Sequence, residues 1–191
     1  MRYRRADIVE RAVGILDQYG LPDLSMRRIA GELGLQPSAL YHHFANKQEL
    51  LAVVADELLE RGARPAAETV SWDQQVVALS HELREAMLAY RDGAELIATV
   101  HAFGLGVHAP SRRLTEAVRR AGFDEVFARA AAMTVLHFVF GHVSDEQTHL
   151  QANSVGAIDD APLDRAGAGS FDLGLSLILD GIRQRQTQAA V

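Results

Sequence analysis

The sequence predicts an all-α fold: a three-helix N-terminal headpiece containing a helix-turn-helix, followed by a larger helical domain. Three observations predict it. Apolar residues recur at three- and four-residue intervals from Ile8 onward. Capping residues and breakers, Ser25, Asn46, Gly20 and Gly34 among them, fall where those intervals stop. Two later stretches, 124–142 and 170–185, are apolar around more of their circumference than a lone surface helix needs.

The first helix carries Ile8, Ala12, Ile15, Leu16 and Tyr19 on its inward face and stops at Gly20. Ser25 caps the next, whose inward residues are Ile29, Ala30 and Leu33, and Gly34 supplies the permissive backbone of a sharp helix end. A further helix starts almost at once. Gln36 stands at its cap and Pro37 at its first position, where a missing N–H costs nothing, and Leu40 and Phe44 point inward. Asn46 then caps a helix with Glu49 placed three residues on for a capping box, and Leu50, Leu51, Val54 and Leu58 form its apolar face. With the helix after Asn46 as the third, following the helix-turn-helix pair, and the first helix preceding the motif, the headpiece is expected to occupy residues 1–62 and the second domain 63–191.

Beyond Arg61-Gly62, a stretch containing Pro65 ends this region, and Ser71 can cap a long helix running through Leu79, Leu83, Met87 and Leu88 to Arg91. Asp92-Gly93 interrupts it, a shorter apolar helix covers 94–103, and Gly104, Gly106 and Pro110 mark a loop. A basic amphipathic helix is expected over 111–121, a buried one over 124–142, and a last one over 170–185. The segment 151–169, rich in Ala, Gly and Asp, reads as a surface connection.

Two crossed helices with Ala30 and Gly34 at their contact project the N-terminal half of the second into a DNA major groove, which is wide enough to admit a helix. The residues that face DNA there are Gln36, Pro37, Ser38, Ala39, Tyr41 and His42, with Lys47 at the next helix start, where a phosphate contact is natural. The pattern ADIVERAVGILDQYGLPDLSMRRIAGELGLQPSALYHHFANKQELL resembles the DNA-binding domain of TetR-type repressors, most specifically in LYHHF-x-NK-x-x-LL. The resemblance implies that Arg27 reaches guanine from the preceding helix. It extends through YRDGAE at 90–95, LHFVFGHVSDEQTH at 136–149 and FDLGLSLILDGI at 171–182, which are similar to the ligand-binding domain of the tetracycline repressor subgroup.

Charge is distributed to suit this reading. The net charge is -6, yet residues 1–50 carry seven basic and six acidic residues, +1, and residues 51–191 carry twelve and nineteen, -7. The acidic part is expected to face away from phosphate. With no cysteine, disulfides and thiolate metal sites are excluded. The charged N-terminus lacks the apolar core of a secretory signal, and the most apolar run, 126–143, holds Arg129, His137 and His142 and falls short of the roughly 20 clean residues of a membrane span. A cytoplasmic protein without a membrane partner is expected.

No G-x-S-x-G, Walker, G-x-G-x-x-G or H-E-x-x-H pattern occurs, so no enzyme is expected. Met87, Ile97, Val100, His101, Phe103, Met133 and His137 form a candidate effector site, apolar with a few polar points, as a small organic ligand requires. His101, His137, His142 and His149 with Asp145 and Glu146 raise a metal reading. The tetracycline repressor resemblance implies a magnesium–drug complex held partly by a histidine four residues after the RDG glycine, but that position is Ile97. Neither a metal nor another cofactor is therefore expected. The excess apolar surface on the two late helices points to a homodimer seam through Val135, Phe138, Val139, Leu175, Leu177, Ile178 and Ile182. The expected function is a homodimeric repressor that binds double-stranded palindromic operator DNA and is released by a small organic effector. The alternatives are a metal-sensing regulator, or a helical small-molecule-binding protein or enzyme with an unused headpiece.

Overall fold

A computed structural model describes residues 3–64, 70–154 and 168–189, without side chains at 168 and 187–189. Among the described residues every regular element is helical, in the order α1 (Arg5–Tyr19), a 3₁₀ turn (Leu21–Asp23), α2 (Met26–Glu32), α3 (Pro37–Leu40), α4 (Lys47–Gly62), α5 (Trp72–Leu88), α6 (Gly93–Ala102), α7 (His108–Arg119), α8 (Glu125–Ser154) and α9 (Ala168–Ala189). The chain forms two compact units: Met1–Ala63 with Glu85–Val107, and Arg64–Arg84 with His108–Val191. The division is not the single cut expected after residue 62, because the chain returns to the first unit for the end of α5 and all of α6.

The first unit closes around Ile8, Ala12, Ile15, Leu16, Ile29, Leu40, Phe44, Leu50, Val54 and Leu58, all essentially inaccessible. Each large apolar side chain so buried contributes about 1.5–3 kcal/mol. Tyr19, expected inward, lies instead at the rim with 36% of its surface exposed, its ring stacked under Arg28 at 3.6 Å. α6 packs on α4, and Gly62 allows α4 to approach α5, since a Cβ there would stand 2.8 Å from the Ala86 methyl.

Carboxylates tie the start of α6, and the loop that follows it, to the headpiece. At its start, Asp92 adopts a left-handed conformation (φ 55°) and its carboxylate accepts the Leu21 N–H at 2.7 Å. Gly20 makes room for that bond: its φ is 84°, and a Cβ there would collide with the carboxylate. Beyond the other end of α6, in the loop before α7, Asp56 of α4 accepts the Val107 N–H at 2.8 Å. Val107 has φ 62°, a conformation that costs a β-branched residue about 1–3 kcal/mol, and it persists with the side chain fully buried and the amide held.

In the second unit α7 lies along α8, and α8 packs on α9. Val76, Leu79 and Leu83 of α5, Leu114 and Val118 of α7, Val135, Val139 and Val143 of α8, and Phe171, Leu175 and Leu179 of α9 are buried. Gly174 lets α9 approach α8, a Cβ there lying only 2.6 Å from the Phe138 ring. Across α5 and α8, Arg84 donates to both oxygens of Glu146, which is only 7% exposed, and the guanidinium lies 5.6 Å from the Phe171 ring centre. Removing one partner of a pair this sheltered costs about 3–5 kcal/mol, since the other charge is left without compensation.

Several boundaries differ from expectation for local reasons. α7 starts at His108 rather than 111, because Pro110 falls in its first turn, where no N–H is needed. α5 stops at Leu88, short of Arg91. α8 runs 30 residues to Ser154 where an end near 142 was expected, because polar residues after Val143 sit on its outer face while Glu146 and Gln147 stay buried. At that length α8 is long and apolar enough to cross a membrane by composition alone, contrary to the expected shortfall, but its inner face is filled by its own protein. Residues 151–154 of the expected connection are helical; Pro65 and most of the remainder of 151–169 lie outside the described residues.

At the start of α5, Asp73 accepts from the Ser71 hydroxyl, from Arg183 of α9 and from the Gln74 amide. The Ser71 hydroxyl first, then Arg183, lowers its pKa from 3.8 to about 2. A depressed carboxylate contributes stability in full above its unfolded pKa and loses it as pH falls through the folded value. With the side chain 21% exposed, that contribution is about 1–2 kcal/mol. Asp73→Asn is expected to lower stability by that amount near pH 5, with the gap to wild type closing as pH approaches about 2. Urea melts of both proteins across that range check it, and a gap independent of pH contradicts it.

Candidate nucleic-acid interface

The helix-turn-helix is built as its residues require. The Ser25 hydroxyl accepts the Arg28 N–H at 3.2 Å, starting α2. At its end Gly34 takes φ 66°, Leu35 N–H reaches the Ala30 carbonyl at 2.8 Å and Gly34 N–H the Gly31 carbonyl at 3.1 Å, the paired bonds of a Schellman stop. Gln36 is extended and Pro37 begins α3, which is only four residues long and continues as turns through His43. Leu40 and Phe44 anchor it from inside.

Of the residues expected to face DNA, Arg27, Gln36, Ser38, Tyr41 and His42 are exposed and Pro37, Ala39 and Lys47 half-buried. All lie in one unit, on α2, on α3 with its cap residue and following turn, and on the first residue of α4. Asn46 caps α4, its side-chain oxygen accepting the Glu49 N–H at 2.8 Å. The return bond differs from the expected capping box: Glu49 accepts the N–H of Ala45, at 2.7 Å, rather than that of Asn46. The second Glu49 oxygen accepts from Arg5 at 2.9 Å. The Ala45 N–H, and after it Arg5, holds the Glu49 carboxyl below the usual range despite burial acting the other way.

Sequence reasoning missed a second support beside the interface. Arg28 pairs with Asp23 at 2.6 Å and with Glu32 at 3.5 Å, while Glu32 also meets Arg11 of α1. Burial works against the Arg28 charge, but Tyr19, Asp23 and Glu32 together outweigh it and raise its pKa. An open groove of about 540 Å³ lies here, lined by Pro22, Asp23, Ser25, Arg27, Arg28, Gly31 and Glu32. The sequence signal was present in the i,i+4 spacing of Arg28 and Glu32, although the partner on α1 was not readable from it.

The candidate effector residues are divided. Met87, Ile97 and Val100 are buried and His101 half-buried in the first unit, where Phe103 is 64% exposed. Met133 and His137 belong to α8 of the second unit; Met133 is half-buried, with the Ser111 hydroxyl 3.9 Å from its sulfur, and His137 is exposed. Glu146 of the metal reading is engaged by Arg84, and among the described residues no three His, Asp or Glu side chains are grouped to hold a metal ion.

The candidate dimer residues also divide. Val135, Val139, Leu175 and Ile182 are buried in the chain itself, because positions four apart on α8 turn toward the interior. Phe138 and Ile178 are half-buried and Leu177 is 65% exposed. Val126 and Leu173, not singled out from sequence, are also strongly exposed. A mostly apolar groove of about 340 Å³ runs between Phe127, Ala131 and Thr134 of α8 and Leu177, Ile178 and Ile182 of α9.

Residues 8–54 match the family described as bacterial regulatory proteins, tetR family, and residues 64–186 the tetracyclin repressor-like C-terminal domain. The tetracycline repressor protein class A from transposon 1721 of Escherichia coli is 32% identical over 200 residues, covering 94% of this chain and 90% of that protein. Among solved structures, BioQ of Mycobacterium smegmatis is 43% identical with a TM-score of 0.86, covering 95% of this chain and 98% of that one. A BioQ structure with its double-stranded DNA operator is 39% identical with a TM-score of 0.78, over 95% of this chain and 98% of that one. With a helix-turn-helix of this geometry and matches to both domains, the chain belongs to the TetR family of transcriptional regulators and carries a tetracycline-repressor-like C-terminal domain.

Proposed function

We propose that this protein is a cytoplasmic homodimeric repressor that reads a palindromic operator with α2, α3 and the start of α4, and that a small organic effector releases it. The observation that carries the DNA reading is the α2–α3 pair itself. Its inward residues are buried and its turn is held by the Gly34 and Leu35 amides, while Arg27, Gln36, Ser38, Tyr41 and His42 remain accessible. Arg27 and the start of α3 meet base edges; Tyr41, His42 and Lys47 meet phosphates. The function is binding, with no catalytic step. The BioQ structure with its operator supports the same use of the fold in a relative.

The second copy seats on the accessible apolar face of α8 and α9, around Leu177, Ile178 and the groove they line, with Val126 and Leu173 extending it. The residues buried beneath, Val135, Val139, Leu175 and Ile182, shape that face from below.

Release is proposed to act through α6. An effector that contacts Met87, Ile97, Val100 or His101 bears on a helix that packs on α4, holds the Leu21 amide through Asp92 at its start, and is followed by a loop whose Val107 amide is held by Asp56 of α4. α4 is thus joined by a second route, through Asp92 and Leu21, to the turn preceding α2. By linkage the effector binds free protein more tightly than DNA-bound protein, and a tenfold loss of operator affinity corresponds to a coupling of about 1.4 kcal/mol. Ile97 in place of a ligating histidine argues for an apolar effector rather than a magnesium–tetracycline complex. The metal-sensing alternative is not favoured.

Lys47→Ala is expected to weaken binding on every duplex and to reduce the salt slope by about one, whereas Arg27→Ala relaxes preference at one base pair. Fluorescence anisotropy on an operator enriched from a random palindromic pool, repeated across salt concentrations, measures both, and unchanged affinity in both variants rejects the assignment. Leu177→Arg is expected to give monomers with at least a tenfold loss of operator affinity, since one headpiece reads one half-site. Light scattering combined with the same binding assay would expose the error if a monomeric variant bound the full operator like wild type.

A further inference from the structure

A helix as short as α3 cannot hold its own orientation in water, because a single turn does not repay the cost of helix nucleation. Leu40 and Phe44 fix its depth from within, but its angle depends on what holds the chain where it leaves α3 and turns into α4. That turn is closed by Glu49. One carboxylate oxygen takes the Ala45 N–H at 2.7 Å and the other takes Arg5 at 2.9 Å. The Arg5 guanidinium, from the first residue of α1, also lies over the Phe44 ring, 4.5 Å from its centre. Arg5 therefore touches the inner anchor of the recognition segment and the carboxylate that closes its exit, from a third element.

We infer that Arg5 and Glu49 are positioning residues for DNA reading: they clamp the exit of the recognition segment and set the angle at which Pro37 to His42 meet the bases. The inference rests on the DNA reading proposed above. As an isolated ion pair it would matter little, since both side chains are more than a third exposed. Its weight comes from geometry, because each partner also makes a second contact with the segment it holds, and a planar guanidinium stacked on a ring has a fixed orientation that a lone charge lacks. Charge makes the role distinguishable. Glu49 lies two residues from Lys47, where a bare carboxylate would repel a DNA backbone. If Glu49 acted on DNA only through its charge, Glu49→Gln would tighten binding. As a clamp, the same change weakens specific binding because Arg5 is released, even though the glutamine oxygen still accepts from Ala45.

The test measures affinity for the enriched palindromic duplex and for a scrambled duplex, across salt, in wild type, Arg5→Ala, Glu49→Gln and the double variant. Each single variant is expected to lower the specific-to-scrambled ratio about fivefold, the double no further than either single, and the salt slope of Arg5→Ala to stay at the wild-type value. Thermal melts confirm folding at the assay temperature. If Arg5→Ala does not fold, Arg5→Lys, which keeps the charge and loses the fork, is expected to shift the ratio in the same direction. An Arg5→Ala slope shallower by about 0.9 with equal loss on both duplexes makes Arg5 a phosphate contact and overturns the inference. So does an unchanged ratio, or tighter specific binding by Glu49→Gln. Failure of wild type to enrich any duplex would instead remove the DNA reading itself.

Discussion

Short helices leave many backbone amides without a helical partner, and the DNA-binding unit depends on how side chains satisfy them. The Ser25 hydroxyl takes the amide of Arg28, Asn46 that of Glu49, Glu49 that of Ala45, Asp92 that of Leu21 and Asp56 that of Val107. An unpaired amide in the part-buried positions of Leu21 and Val107 costs about 1–3 kcal/mol. These bonds do more than cap. Three of the five acceptors are carboxylates, and two of those reach from elements remote in sequence, so satisfying an amide also fixes where one element meets another.

That constraint explains why α6 belongs with the headpiece. Its start is held by an aspartate in a left-handed conformation, the loop after it by an aspartate on α4, and both attachments lie where the backbone is strained. Strain of this kind persists only when surrounding contacts over-determine it. The bonds connect α6 and the loop after it to the 3₁₀ turn before α2 and to α4. In the proposed mechanism DNA reading and effector response share these bonds.

The parts of this design that were legible in the sequence are the local ones. Ser25, Gly34, Pro37 and Asn46 act within three or four residues of themselves, so their spacing was enough to place α2, α3 and the start of α4. The return bond of Glu49 missed by one residue, because a flexible side chain chooses between adjacent amides according to where Arg5 holds it. Asp92 with Leu21 and Asp56 with Val107 are separated by 71 and 51 residues, and no periodicity encodes such a pair. The late helices show a different limit. Their apolar excess was readable, but Val135 and Leu177 look alike in sequence, and only the packing decides that one fills the interior and the other faces outward. The candidate effector residues were chosen as apolar side chains with a few polar points, which also brought in Phe103 and His137, two side chains that the fold leaves exposed.

Remote carboxylates thus hold loop amides of the DNA-binding unit. Amide hydrogen exchange at Leu21 and Val107 tests this most directly, followed by NMR in wild type, Asp92→Asn and Asp56→Ala. Both amides lie outside regular α-helix, where exchange is ordinarily fast. In wild type they are predicted to exchange as slowly as neighbouring helical amides, with Val107 losing protection in Asp56→Ala and Leu21 losing part of it in Asp92→Asn. Exchange at the rate of an open loop in wild type, or protection unchanged in both variants, would contradict the account.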